Sequence, residues 1–431
     1  MGAFVAGIGE RERTPGGDAG ARLSAELRLA AACCRIPGPE RDAAVRACAD
    51  EVRWPEFLAT TRRHRIEALV REALARAGVT PPQDVAEPLA RGAERVLLSN
   101  MALAAETLRL QRAFDDAGVA FVTLKGAALA QAAYGSLGLK HARDVDVLTS
   151  RAHAAAAWAL LERQGYVLSQ PAARLSEAQK SALLRFGREV EFVRTRPTTV
   201  VVELKWRLVE NPMLLRGVDA HSPTIEVPLL GAGALRTLAD ADNFAYLCAH
   251  GAHHFWARLK WLADLNAFAD GHDLGFLYDH AQRLGAGLCA AQALLLCREF
   301  FGLTLPDEVA ARASRDPRVA RLTAMARAEI QRETSAPDTR RVVRNVVAQF
   351  RLGEGWRFAL SQAGTSFFGD ADVVQAPLPP RLQFLYPLLH LPLWLLRRFG
   401  PGRPGARPHR LQAASSGETE PSASRAAARP P

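Results

Sequence analysis

Three acidic residues and one lysine–glycine bend carry the chemistry open to this sequence. Asp144-Val145-Asp146-Val147-Leu148 alternates polar and apolar residues, and a period of two puts both Asp side chains on one face of a strand. Carboxylates that close repel each other unless something positive lies between them, and oxygen-only ligands suit Mg2+ best. Upstream, the apolar run Val119–Leu124 reads as a buried strand that Lys125-Gly126 stops, and the small-residue pattern Ala127–Tyr134 reads as a helix. A bend at the start of a helix offers backbone N–H groups to phosphate. Glu203 is the lone acid in VVVELKW (Val200–Trp206), a β-branched run in which a carboxylate needs a partner. Glu189 and Glu191, alternating on the preceding strand, are the other candidates for a third acid. A phosphate cradle beside metal-binding carboxylates points to phosphoryl or nucleotidyl transfer.

The motifs, taken together, resemble a known family. Strand-LKG-helix is followed by Lys140 shortly before D-V-D-V-L, then by a helix ending in Gly165-Tyr166, then by E-L-K-W at Glu203–Trp206. Further on come His250-Gly251-Ala252-His253-His254-Phe255-Trp256, the run Leu259–Leu262 with Asp264, and the segment Pro379–Tyr386. This pattern is similar to the uncharacterised nucleotidyltransferase family of the DNA polymerase β-like superfamily, over roughly residues 50 to 400. The resemblance implies an NTP and an acceptor hydroxyl as substrates and Mg2+, two ions in the usual mechanism, as cofactor. Asp144, Asp146 and Glu203 would be the catalytic, metal-holding acids. Lys125, Gly126, Lys140 and Arg143 would bind the nucleotide, and His250, Lys260 and Asp264 are candidate substrate contacts. Two positions depart from the family and a third from the superfamily. Lys140 stands where Arg is common, Lys205 stands where His is common after the third acid, and Ala127 replaces the Ser of the superfamily's Gly-Ser turn. A silent nucleotide-binding or adaptor protein that kept the fold is the alternative.

The expected architecture is α+β, with a small mixed sheet between helical regions. Residues 1–20 are Gly-rich and expected disordered, 21–118 helical, 119–210 the αβ core, 211–375 helical again, 376–399 an apolar docking segment, and 400–431 a disordered basic tail. Within the core, Arg196-Pro197-Thr198-Thr199 should turn strand 188–195 back onto strand 199–207 as a hairpin. Helical periodicity covers Trp54–Ala77 and Ala86–Ala117, and Arg62-Arg63-His64-Arg65 reads as a solvated helix face, with a phosphate site as the alternative. His250 and His254 share one face of a later helix but lack the acid of a zinc motif, and read as packing residues, with Trp256 and Trp261 in the core.

Of the net charge of +10 on 431 residues, five units come from residues 397–431, with seven Arg and two Glu. The body is therefore only mildly basic, and nucleic-acid binding is not indicated. Lysine is scarce. Of 55 basic residues only Lys125, Lys140, Lys180, Lys205 and Lys260 are lysines, and four of them fall in the motifs above, where phosphate binding favours a compact ammonium. Six cysteines without paired spacing, no leader pattern and no long apolar window suggest a cytoplasmic protein without a transmembrane helix. Leu382–Phe399 is the exception in character, an apolar segment that could dock on the body or make a peripheral membrane or protein contact.

Overall fold

The computed structural model describes residues 23–171, 174–229, 231–332 and 339–399. The two segments expected to be disordered, 1–20 and 400–431, lie outside them. Five helices open the chain: α1 (Ala25–Cys33), α2 (Pro39–Ala49), α3 (Trp54–His64), α4 (Glu67–Ala77) and α5 (Gln83–Asp116). The periodic stretch Trp54–Ala77 is thus two helices. Arg65 adopts the left-handed conformation (φ 57°) between them, and His64 is buried with its Nδ1 accepting the Leu259 backbone N–H at 3.0 Å. A tertiary hydrogen bond overrides the helical pattern there. Arg63 donates to the Glu329 and Ile330 carbonyls at 2.8 and 2.9 Å, so the Arg62–Arg65 run is no solvated face. Of its four side chains only Arg62 is exposed.

The central sheet is built from β1 (Val122–Leu124), which leads into α6 (Gly126–Tyr134), then β2 (Val145–Leu148), α7 (Ala154–Arg163), β3 (Val167–Gln170), α8 (Glu177–Phe186), β4 (Glu189–Arg194), β5 (Val200–Lys205), β6 (Thr224–Leu229) and β7 (Gly233–Leu238). Its order is β3-β4-β5-β2-β1-β7-β6. β1 and β2 are antiparallel, β2 and β5 parallel, and β4 and β5 form the expected hairpin. Two strands lie outside the expected core. Residues 211–375 were expected to be helical, yet β6 and β7 pair there as an antiparallel hairpin, with β7 parallel to β1. β6 is an edge strand holding Pro228 and several exposed residues, so it carries little of the apolar alternation that marks a strand.

Ten helices follow among the described residues: α9 (Asp240–His253), α10 (Leu259–Ala269), α11 (Leu274–Arg283), α12 (Gly287–Phe301), α13 (Asp307–Ser314), α14 (Pro317–Gln331), α15 (Thr339–Gln349), α16 (Gly355–Ser366) and α17 (Asp370–Gln375) come first, and after a 3-10 turn at Pro380–Leu385 comes α18 (Tyr386–Phe399). The two faces of the sheet bury different partners. Val145, Val147, Val202 and Leu204 pack with Trp158 and Leu183 of α7 and α8. Leu124 and Leu148 share a core with the first four helices and with α9–α14. Period-two alternation therefore turns Asp146, Glu203 and Lys205 toward the second set, where the two helical regions meet.

The apolar segment docks on the body through buried Gln383 and Tyr386 and through Asp372, which binds His390 at 2.6 Å and Arg397 at 2.7 Å. Leu388, Leu391 and Trp394 face outward. Among the described residues no helix is long and apolar enough to cross a membrane.

Candidate active site

Register decides whether distant acids meet. Across the parallel β2–β5 pair Asp146 lies opposite Glu203, and across the β4–β5 hairpin Glu189 lies opposite Lys205 and Glu191 opposite Glu203. Glu203 and Lys205, two apart, share a face. The Lys205 ammonium consequently touches three carboxylates: Glu203 Oε2 at 2.5 Å, Asp146 Oδ1 at 3.4 Å, and Glu189 Oε2. Lys125 reaches the same Asp146 oxygen at 3.2 Å. Glu191 turns away and accepts the Ser169 hydroxyl at 2.6 Å.

The bend that delivers Lys125 is strained. Lys125 (φ 49°) and Gly126 (φ 51°) both have positive φ, in a region where Gly is far less costly than residues with a Cβ. A Cβ on Gly126 would face the Asp144 carbonyl at 3.8 Å, so the bend runs close along the mouth of β2. Ala127 follows it, so the first turn of α6 offers only backbone N–H groups.

Burial and charge act against each other in this cluster. Desolvation pushes the Asp146 carboxyl up to about 7 against the pull of Lys125 and Lys205, with Glu203 and Asp144 adding to the rise. Burial acts upward on Glu203 too, but Lys205 and Lys125 outweigh it and hold that carboxyl well below the usual range. Both ammoniums stay protonated because neighbouring carboxylates more than offset their burial, Asp146 for Lys125 and Glu189, Glu203 and Asp146 for Lys205.

A second group of charges adjoins the first. Asp264 of α10 binds Tyr134 at 3.0 Å and Lys140 at 3.2 Å, and Asn100 holds the Lys140 carbonyl. These contacts lay the 140–144 loop along α10. Lys260 stands one turn before Asp264 on that helix, Arg258 immediately precedes the helix, and the His64–Leu259 hydrogen bond brings Arg65 beside them. Among the described residues the side chains of Arg65, Arg258 and Lys260 make no ion pair or hydrogen bond. Burial lowers all three, and neighbouring cations lower them further: Arg258 and Arg143 act on Arg65, Arg143 on Arg258, and Lys140 and Arg65 on Lys260, while Asp144 and Glu67 oppose the shift at Arg65 and Asp264 and Asp144 oppose it at Lys260. His141 is driven to about 3 by burial and by Lys260, Arg65 and Lys140. Asp144 is within electrostatic reach of Asp146, Arg65 and Lys260, so it stands between the acids and the cations.

Helix α9 roofs the acids. Tyr246 feels Lys125 and Asp146, and the His250 ring lies 5.8 Å from Tyr246 and 4.5 Å from His254, which stacks on Trp261 at 5.0 Å. Burial, then Lys125 and His254, hold His250 well below the usual imidazole range, and it stays neutral. Trp256 is fully buried, whereas Trp261 is only partly so.

Such a geometry, with a bend at a helix start, an aligned acid pair and a cluster of half-buried and buried cations, fits a polyphosphate substrate. The family model described as "uncharacterised nucleotidyltransferase" matches residues 50–302, more than half of the chain. The chain belongs to this nucleotidyltransferase family. Neither a curated protein nor a solved structure matches it. The matched span begins just before α3 and ends just after α12, and so contains both charge clusters.

Of the residues expected at the site, Asp144, Asp146, Glu203, Lys125 and Gly126 come together. Lys260 and Arg143 join the cations, and Lys140 reaches them while bound to Asp264. Asp264 itself is 4% exposed with both oxygens engaged, which gives it an internal part in holding the loop. Arg65 belongs to the run read mainly as a solvated face and Arg258 carried no signal of its own, because the α3–α10 contact is what aims both here.

The donor set suits Mg2+ at Asp144 and Asp146. Asp146 Oδ1 is buried and accepts no hydrogen bond, only the two ionic contacts. Among the described residues no three His, Cys, Asp or Glu side chains gather closely enough to hold an ion alone, so phosphate oxygens and water would complete its shell, as is usual for this metal.

Proposed function

We propose that the protein transfers a nucleoside monophosphate from an NTP to an acceptor hydroxyl, with Asp144 and Asp146 holding Mg2+ against the polyphosphate. The single observation that carries this reading is the alignment of Asp146 with Glu203 on one sheet face beside the Lys125-Gly126 bend. Mg2+ bound there supplies Lewis-acid stabilisation of charge on the phosphoryl oxygens. The backbone N–H groups of the bend hold phosphate oxygens, and Lys125 neutralises the charge that grows on the departing pyrophosphate. Arg65, Arg258 and Lys260 bind the distal phosphates, which gives their mutual repulsion a counter-charge. Glu203, kept ionised by Lys205, accepts a hydrogen bond from the acceptor hydroxyl and orients it; its depressed pKa makes it a weak proton acceptor. The roof of Tyr246 and neutral His250 keeps water from competing with the acceptor.

The test is pyrophosphate release from each of the four NTPs with Mg2+ and a pooled set of acceptors, read together with the mass of the products. Metal-dependent pyrophosphate and an acceptor heavier by one nucleoside monophosphate are expected. NTP binding by calorimetry with no turnover on any acceptor would instead mark an adaptor, a reading that the Lys205 ammonium among the acids favours.

Removing a cation should separate binding from stability. Arg65→Ala and Arg258→Ala are each expected to weaken NTP binding about tenfold, the equivalent of about 1.4 kcal/mol. In the absence of nucleotide their thermal midpoints should rise, because like-charge repulsion is relieved. Calorimetric titration and thermal melts of the same samples check both signs.

A further inference from the structure

Lys205 stands at the meeting point of three strands. Glu203 precedes it on the same face of β5, Asp146 reaches it from β2 and Glu189 from β4. An ammonium has three N–H donors, matched here by three carboxylates, and the side chain is only 4% exposed. In a two-ion site the second metal would lie between the Asp146 and Glu203 carboxylates, which face each other across β2 and β5.

We propose that Lys205 supplies this second cation as a fixed ammonium, so that the chain binds a single divalent metal ion. The inference rests on the nucleotidyl-transfer reading above. Geometry supports it. Lys205 already lies between Asp146, Glu203 and Glu189, and Arg188 pairs with Glu189 at 2.5 Å. Admitting a second metal ion would eject Lys205 from three carboxylates into a buried setting that already holds Lys125 and Arg188. A buried charge stripped of its partners is costly.

Counting bound Mn2+ by electron paramagnetic resonance, with full-length protein and one equivalent of a nucleotide analogue that cannot be cleaved between the α- and β-phosphates, tests the proposal without turnover. Wild type should bind one Mn2+ per chain with an isolated-ion spectrum. Lys205→Ala should bind two, with the broadening of a coupled pair. Two ions in wild type, or one in the variant, would overturn the proposal. If the variant fails to fold, the wild-type count alone decides. Binding of no Mn2+ would bring down the metal-dependent reading itself, whereas a count of two leaves that reading standing and removes only the part given to Lys205.

Discussion

Asp146→Asn is expected to lower pyrophosphate release about a thousandfold, the equivalent of about 4 kcal/mol of transition-state stabilisation. Asp146 is 1% exposed, and its Oδ1 faces Lys125 and Lys205 without a hydrogen bond. An amide keeps the shape but loses the charge that would hold both the ion and the two ammoniums. Glu191→Gln is the control. Glu191 lies opposite Glu203 in the hairpin, but its carboxylate is turned to Ser169, so release should stay within about threefold of wild type. Steady-state assays on folded variants check both. A hundredfold loss in Glu191→Gln would mean that the third acid had been assigned to the wrong strand.

The second large effect falls on stability. Gly251→Ala is expected to destabilise the fold by about 3 kcal/mol, since an added methyl would lie 2.2 Å from the Trp256 ring. That indole cannot retreat. It is completely buried, its Nε1 donates to Gln292 at 3.1 Å, and its backbone sits at φ 49°. Urea unfolding of the variant measures the loss. Trp256 closes the turn that leads from α9 to Arg258, so the surviving folded fraction should also bind NTP more weakly. An alanine variant as stable as wild type would contradict the packing described here.

Why some of this was readable from the chain and some was not follows from the range of the interactions. Asp144-Val145-Asp146 and VVVELKW carry their own periodicity, and period two alone put the acids on one face and the valines on the other. The Arg196–Thr199 turn similarly fixed the β4–β5 hairpin. Lysine scarcity was informative for a chemical reason. Lys125, Lys140, Lys205 and Lys260 all lie within the two charge clusters, whereas Lys180 pairs with Glu162 and Glu177 on the surface. Local pattern failed where distant contacts decide. The break at Arg65 depends on a hydrogen bond to Leu259, the edge strand β6 spends its alternation on exposed positions, and the convergence of Glu189 on Lys205 needs the strand register. Arg62–Arg65 could not be told from a solvated face without knowing that α14 and α10 cover it.

One crystallographic measurement reaches the central claim directly: the anomalous difference map of the full-length protein grown with Mn2+ and the uncleavable NTP analogue. The account predicts a manganese peak held by Asp144 and Asp146, with the α-phosphate toward the Lys125-Gly126 bend and the distal phosphates against Arg65, Arg258 and Lys260. Nucleotide bound elsewhere on the molecule, with no manganese at these two carboxylates, would contradict it.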